Sequence, residues 1–347
     1  MIRFPDSFAR ASDRATVEWC RTRLSVSLRL SLLTHLRRHF VLPILIASLA
    51  VSGGCRRPDP SEQAGVGRSS DDEKPRVFTT FTVLADLARQ VAGDRLSVNS
   101  IVKTGAEIHG YQPTPSDVER ASSADLIVEN GLGLELWSRR FTAAAGNVPT
   151  VTLSDGMKPL LIEEDAYAGK PNPHAWMSPK RTMSYVDRLV EAFTRLDPDG
   201  ADQFRRNGES YKAKLRELDS ELRSSLASIP PERRLLVSCE GALSYLASDY
   251  GLKEAYLWPV NAESQVTPKR MARLITRVKD SGVPAVFCES TVSDKAQREV
   301  AAATGARFGG TFFVDSLSSA DGPAPNLLEL QRHNVELIRK GLTGGDG

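Results

Sequence analysis

From residue 76 onward, short runs of β-branched and apolar residues alternate with longer segments whose apolar residues recur at spacings of three and four. Runs of the first kind are typical of buried strands, and the second spacing places apolar side chains on one face of a helix. In the first half of the chain the pattern predicts strands at 77–81, 96–102, 124–128 and 150–153, with helices at 84–91, 114–121 and 134–144. Strands and helices in alternation indicate a parallel sheet covered by helices.

The same alternation returns after a long helical stretch. It predicts strands at 235–238, 255–257, 285–288 and 306–308, and helices at 242–250, 268–280, 294–304 and 327–340. The stretch between the two sets is helical over 180–195 and 200–227, with a break at Asp197-Pro198-Asp199-Gly200. We therefore predict an α/β fold of two lobes, each a mostly parallel sheet covered by helices. A long rigid connecting helix joins them and permits only small motion between the lobes.

The beginning of the chain has the pattern of an export signal. Arg37, Arg38 and His39 precede an apolar run at 40–51, which ends in small residues immediately before Cys55. A basic segment, a short apolar run and a small-residue exit are typical of a secretory signal peptide. The run has about 12 residues, whereas a helix needs about 20 to span a bilayer. Cys55 resembles the acylated cysteine of bacterial lipoproteins, so we predict lipidation there, with simple cleavage of the leader as the alternative.

These features divide the chain into five predicted segments. Residues 1–55 form a signal peptide or lipoprotein leader, whose long irregular beginning indicates a start codon downstream of Met1. Residues 56–75 form a disordered tether, because a composition rich in Pro, Ser, Gly and charge buries too little apolar surface to order itself. The remaining segments are an N-terminal α/β lobe at 76–180, a connecting helical segment at 181–230 and a C-terminal α/β lobe at 231–341.

Composition narrows the choice of function. The 45 Lys and Arg residues and 43 Asp and Glu residues are scattered and leave a net charge of +2, so no one-signed face for nucleic acid is predicted. The four cysteines include no Cys-x-x-Cys pair, so they indicate neither a disulfide framework nor a zinc motif, and each is interpreted alone. Two of the five histidines lie in the leader, which leaves His109, His174 and His333 in the folded part.

Two histidines and two carboxylates fall where ligands collect in open α/β sheets, outside the carboxyl ends of the strands. His109 follows the predicted strand at 96–102, and His174 stands just before the long helical stretch. Glu240 follows the strand at 235–238, and Asp315 comes shortly after the last strand. Each lobe contributes two of the four residues. Together they form a candidate coordination shell for one divalent metal at the seam between the lobes.

Several motifs in order make the chain resemble the metal-binding receptors of bacterial ABC importers for manganese, zinc or iron, over about 76–340. The motifs are the opening strand and helix at 80–94, the loop at 130–137, Asn172-Pro173-His174-Ala175-Trp176, and the segments at 240–246, 261–268, 289–290 and 315–316. The resemblance implies the ligands His109, His174, Glu240 and Asp315. It further implies a periplasmic or cell-surface location, an ABC permease and its ATPase as partners, a monomeric receptor and no enzymatic activity. Asn172 departs from the Asp of the family's pattern.

The donor set favours manganese or ferrous iron, because carboxylate oxygens suit these ions, and zinc is a further candidate. Zinc receptors of the family usually place a third histidine where Glu240 stands. By affinity alone zinc still competes for such a site. Because imidazole binds metal only when neutral, we also expect binding to weaken as the pH falls toward the histidine range.

Other interpretations of the same residues predict different functions. The strand-to-helix turn at 237–241 has Cys239 at its tip, as in a nucleophile elbow, which would suit a cysteine hydrolase with His174 nearby. The elbow lacks its first glycine, and a buried inert thiol is the simpler interpretation of Cys239. A metal-dependent hydrolase would need an open coordination position. A surface adhesin is a further alternative. His333 lies on a helix without a partner, so a surface or half-buried position is expected.

Overall fold

The computed structural model describes residues 74–163, 165–260 and 266–344. The predicted leader with Cys55, the tether up to residue 73 and the motif residues 261–265 lie outside the described residues. Within the described part, no helix combines the length and the apolar character that a membrane span requires.

The first lobe is a four-stranded parallel sheet with helices between its strands. Its elements in chain order are β1 (Arg76–Thr79), α1 (Thr82–Ala92), β2 (Ser97–Ser100), α2 (Pro115–Ser122), β3 (Leu126–Glu129), α3 (Ser138–Ala144) and β4 (Thr150–Thr152). The strand order is β2-β1-β3-β4. The carboxyl ends of β1, β2 and β3 therefore lie at one edge of the sheet, which faces the second lobe.

The connection consists of two helices, α4 (Pro179–Leu196) and α5 (Ala201–Ala227), which are separated at the predicted break. The two helices pack against each other, and Gly208 of α5 permits this, because a β-carbon there would lie 2.5 Å from Cγ2 of Val190. Helix α5 also packs against α1 of the first lobe and against the last helix of the second lobe. Its buried residues Phe204, Tyr211, Leu215 and Leu218 form an apolar stripe along one face of the helix. The connecting helix thus shares a core with both lobes.

The second lobe has two pairs of parallel strands. Its elements are β5 (Leu235–Glu240), α6 (Ser244–Tyr250), β6 (Lys253–Trp258), α7 (Pro268–Ser281), β7 (Ala285–Glu289), α8 (Lys295–Thr304), β8 (Arg307–Phe312) and α9 (Leu327–Thr343). β5 pairs with β6, and β7 pairs with β8. A disulfide between Cys239 of β5 and Cys288 of β7 links the two pairs. The prediction that each cysteine stands alone, with Cys239 as a buried free thiol, is therefore wrong.

Hydrogen bonds from backbone amides of one lobe to side chains of the other join the lobes directly. The Leu327 amide at the start of α9 donates to Oδ2 of Asp86 on α1 at 2.9 Å, and the Leu317 amide donates to Oγ1 of Thr82 at 3.0 Å. Burial is the main cause of a raised pKa at Asp86. The predicted α/β fold of two lobes, each a mostly parallel sheet covered by helices, is confirmed, and the predicted long connecting helix consists of the two helices α4 and α5. These contacts also agree with the expectation of small motion between the lobes, which stays a prediction.

Candidate metal centre

Four buried side chains from both lobes meet at the seam. His109 lies in the loop after β2, His174 precedes the short helix Ala175–Met177, Glu240 is the last residue of β5, and Asp315 follows β8. The Nε2 atoms of the two histidines are 3.2 Å apart, and Oε1 of Glu240 lies 3.3 Å from Nε2 of His109 and 3.9 Å from Nε2 of His174. Asp315 carboxylate oxygens lie 3.7 and 3.8 Å from the same nitrogens. The structure thus brings together all four predicted residues.

These separations fit the size of a coordination shell. An ion with bonds of about 2.0–2.2 Å to four tetrahedral ligands separates those ligands by about 3.3–3.6 Å. The candidate donor atoms all lie within 4.8 Å of one another, and each of the four residues is buried. Oδ1 of Asp315 and Nδ1 of His109 have no hydrogen-bond partner among the described residues. A buried carboxylate oxygen without a donor is costly unless a cation satisfies it.

The loop that carries His109 is held at several points. Both oxygens of Glu107 accept backbone hydrogen bonds, from the amides of His109 at 2.6 Å and Gly110 at 2.7 Å. The Trp137 indole donates to the carbonyl of Ile108 at 3.0 Å. The Glu107 side chain therefore accepts hydrogen bonds from the backbone of the turn that contains His109. These bonds stabilise the turn that positions the imidazole at the seam.

Side-chain hydrogen bonds hold the backbone of the segment before Asp315 in place. Asn334 on α9 accepts from the Phe313 amide at 3.0 Å and donates to the Phe313 carbonyl at 2.6 Å. The Trp176 indole donates to the carbonyl of Val314 at 3.1 Å, across the seam. Two elements from different parts of the chain therefore position the carboxylate at the end of β8.

Burial dominates the electrostatics of the site. It lowers the pKa of His109 to about 3 and holds the pKa of His174 well below its ordinary value, with a smaller contribution from the neighbouring imidazole. Burial also raises the pKa of Asp315, and nearby Glu107 adds to that effect. The imidazoles are thus neutral far below the ordinary histidine range. The raised pKa of the Asp315 carboxyl makes Asp315, rather than a histidine, the stronger competitor for protons. The expected weakening of metal binding as the pH falls stays a prediction.

A buried carboxyl that is not among the predicted ligands lies beside the cluster. Glu289, at the end of β7, accepts from the Glu240 amide at distances of 3.3 and 3.4 Å, and burial raises the pKa of Glu289 to about 8. The dipeptide Cys-Glu occurs at both strand ends, as Cys239-Glu240 and Cys288-Glu289. This repetition at adjacent strand ends is the signal that could have predicted both the disulfide and the second carboxyl.

The disulfide removes the cysteine hydrolase alternative. A nucleophilic cysteine acts as a thiolate. Cys239 is bonded to Cys288 instead.

His333 lies away from the cluster, half-buried as expected, with Nε2 3.1 Å from the carbonyl oxygen of Thr311.

Comparison with known proteins gives a consistent set of relatives. A family model described as the periplasmic component A of zinc-uptake complexes matches residues 77–341. The iron-binding protein YfeA of Yersinia pestis is 44% identical over 298 residues, which cover 86% of this chain and 93% of that protein. The manganese-binding lipoprotein MntA of Halalkalibacterium halodurans is 33% identical over 304 residues, covering 88% and 98%. The manganese-bound periplasmic metal-binding protein of Candidatus Liberibacter asiaticus matches with a TM-score of 0.72 at 37% identity, covering 78% and 100%.

Proposed function

We propose that the chain captures one divalent metal ion between its lobes and delivers it to an ABC permease. This proposal proceeds from the family to which the chain belongs, the periplasmic components of zinc-uptake complexes. Members of this family are extracytoplasmic metal receptors, and the chain is such a receptor and not an enzyme. The ion is the cargo of this protein. His109, His174, Glu240 and Asp315 are the proposed ligands.

The observation that carries the proposal is the convergence of four buried donors, two from each lobe, at separations that suit one ion. Two carboxylates and two neutral imidazoles carry a charge of −2, which a divalent cation neutralises. Four protein ligands close the site, whereas a catalytic metal keeps a position open for water or substrate. Such a site suits the capture and release of an ion better than the catalysis of a reaction on a substrate.

Manganese or ferrous iron is the proposed cargo. Two oxygen donors beside two imidazoles suit these ions, and no third histidine joins the cluster among the described residues. Relatives named for iron and for manganese binding support this choice. Zinc binds such donors at least as tightly as either ion, so affinity by itself does not identify the cargo.

Calorimetry on the full chain tests the receptor function. Mn²⁺, Fe²⁺ under anaerobic conditions and Zn²⁺ are each expected to bind at one ion per chain. Absence of binding for all three ions would refute the proposal.

The cargo is tested separately by elemental analysis of cells that lack the gene for this protein. Loss of manganese or iron accumulation with zinc retained is expected, and loss of zinc alone would contradict the choice of ion.

The affinity for Mn²⁺ is expected to rise between about pH 6 and pH 8. Metal binding requires the Asp315 carboxylate, and its raised pKa in the free protein means that binding below that pKa must displace a proton. Each displaced proton lowers the apparent affinity about tenfold per pH unit. The imidazoles add nothing to this slope, because the pKa of His109 is about 3. Titration calorimetry at several pH values measures the slope.

The matched control for this pH effect is Asp315→Asn, which keeps the shape of the side chain and removes its titration. The variant binds more weakly, and its affinity is expected to vary less with pH. An affinity in the original protein that is constant from pH 6 to pH 8 would contradict the assignment of Asp315 as the competing group.

We also propose a lipid anchor on Cys55, by which the receptor stays at the membrane surface near the permease and its ATPase and acts as a monomer. The support is the sequence pattern before Cys55 and the lipoprotein relative. Cys55→Ser is expected to release the protein from the membrane fraction, and the mass of the mature protein identifies the lipid. An unmodified mature mass would leave simple cleavage as the outcome.

A further inference from the structure

Asn172 lies buried at the seam, two residues before His174, and contacts both lobes. Its Oδ1 atom accepts from the His174 amide at 3.0 Å and lies 3.0 Å from Nδ1 of the same residue's imidazole. Its Nδ2 atom donates to the carbonyl of Gly241 at 2.7 Å and to Oγ of Ser244 at 3.1 Å. Both atoms of this side-chain amide are therefore engaged.

The contacts determine which end of the amide faces which partner. A backbone N–H can only donate, and a backbone carbonyl can only accept. Oδ1 must therefore face the His174 amide, and Nδ2 must face the Gly241 carbonyl. Because Oδ1 is an acceptor, the proton of the neutral imidazole has to sit on Nδ1. Nε2 of His174 is then left with its lone pair toward the other three donors.

The second partner of Asn172 is fixed in place and adjoins another proposed ligand. Gly241 follows Glu240, and a β-carbon at Gly241 would lie 2.9 Å from the carbonyl oxygen of Pro259 and 2.9 Å from a ring carbon of Tyr256. The backbone there has little room to shift. The amide of Asn172 thus connects a histidine of the first lobe to the strand end that carries a carboxylate of the second.

We propose that Asn172 is a positioning residue for metal binding, which selects the Nδ1-protonated form of His174 and fastens that imidazole to the backbone beside Glu240. The proposal rests on the proposed function, since it assumes that His174 and Glu240 bind one ion. Hydrogen-bond partners of this kind usually change metal affinity about 10–100-fold when they are removed.

Two variants of Asn172 separate this role from a merely structural one. Asn172→Ala is expected to weaken Mn²⁺ binding about 10–100-fold in calorimetry, because the imidazole loses its orienting acceptor. Asn172→Asp retains an oxygen for Nδ1–H but replaces the Nδ2 donor to the Gly241 carbonyl with a second acceptor. It is therefore expected to keep the imidazole form while regaining only part of the lost affinity. Asn207→Ala, which removes a bond from α5 to the carbonyl of Val91, is the control for loss of a partly buried asparagine.

Nitrogen NMR of the metal-free full chain, labelled at its histidines, reads the imidazole form directly. His174→Gln assigns the relevant signals among the five histidines. We expect Nδ1–H at His174 in the original chain and in Asn172→Asp, and loss of that form in Asn172→Ala. An unchanged imidazole form and affinity in Asn172→Ala, or loss of the Nδ1–H form in Asn172→Asp, would overturn the proposal. Absence of metal binding by the original chain would instead refute the receptor function, while the NMR comparison would still test the orientation of His174.

Discussion

Replacing Glu240 with alanine is expected to lower the affinity for Mn²⁺ by more than about a hundredfold. Loss of a group that only orients a ligand costs about 10–100-fold, so loss of a direct ligand should exceed that range. The variant also leaves one carboxylate instead of two beside the ion. Asp315→Ala is expected to behave in the same way. Calorimetry with Mn²⁺ measures both affinities, and thermal unfolding of the metal-free variants checks that the fold is kept.

Glu289→Gln is the matched control for Glu240→Ala. Glu289 is equally buried and contacts the Glu240 backbone, yet it lies outside the four-residue cluster. The glutamine retains an oxygen that accepts from the Glu240 amide, so only a small change in affinity is expected. If Glu240→Ala bound Mn²⁺ as tightly as Glu289→Gln, the proposed ligand set would be wrong.

The double variant Cys239→Ser with Cys288→Ser is expected to lose about 2–4 kcal/mol of unfolding free energy. The disulfide closes a segment with a sequence separation of 49, and its removal gives that segment more freedom in the unfolded chain. Both side chains are fully buried, so two hydroxyl groups would also enter an apolar environment. Urea unfolding of the metal-free protein measures the change, because the free energy falls linearly with denaturant.

The disulfide and ligand variants should fail in different ways. The double serine variant loses stability while all four donors remain, and Glu240→Ala loses affinity while the disulfide remains. Reduction of the original chain by dithiothreitol should reproduce the part of the stability loss that comes from the missing bond, and it should not change the stability of the serine variant further. Equal unfolding midpoints for the original and the serine variant would show that the bond contributes nothing to stability.

The sequence predicts most secondary-structure elements because their apolar patterns are local. Several boundaries differ from the prediction, and two of the larger differences have identifiable reasons. The last strand was predicted at 306–308 but extends to Phe312, because Gly309 and Gly310 interrupt the apolar pattern. A β-carbon at Gly309 would lie 2.4 Å from the ring of Phe287, so packing requires glycine at this position. The same glycine makes the strand hard to recognise from its apolar pattern. The helix predicted from residue 134 begins at Ser138, because residues 131–133 have positive φ and form a turn.

Local sequence pattern predicts the two α/β lobes and the candidate site residues His109, His174, Glu240 and Asp315, because each follows or adjoins a recognisable element end where ligands collect. The folded structure alone revealed the disulfide, since the bond depends on β5 lying beside β7 and a local sequence pattern does not show which strands are neighbours. It also decided the lowered pKa of the histidines and the raised pKa of Asp315, because burial is their main cause. The orientation of His174 by Asn172 likewise required the second lobe, whose Gly241 carbonyl determines which way the amide faces.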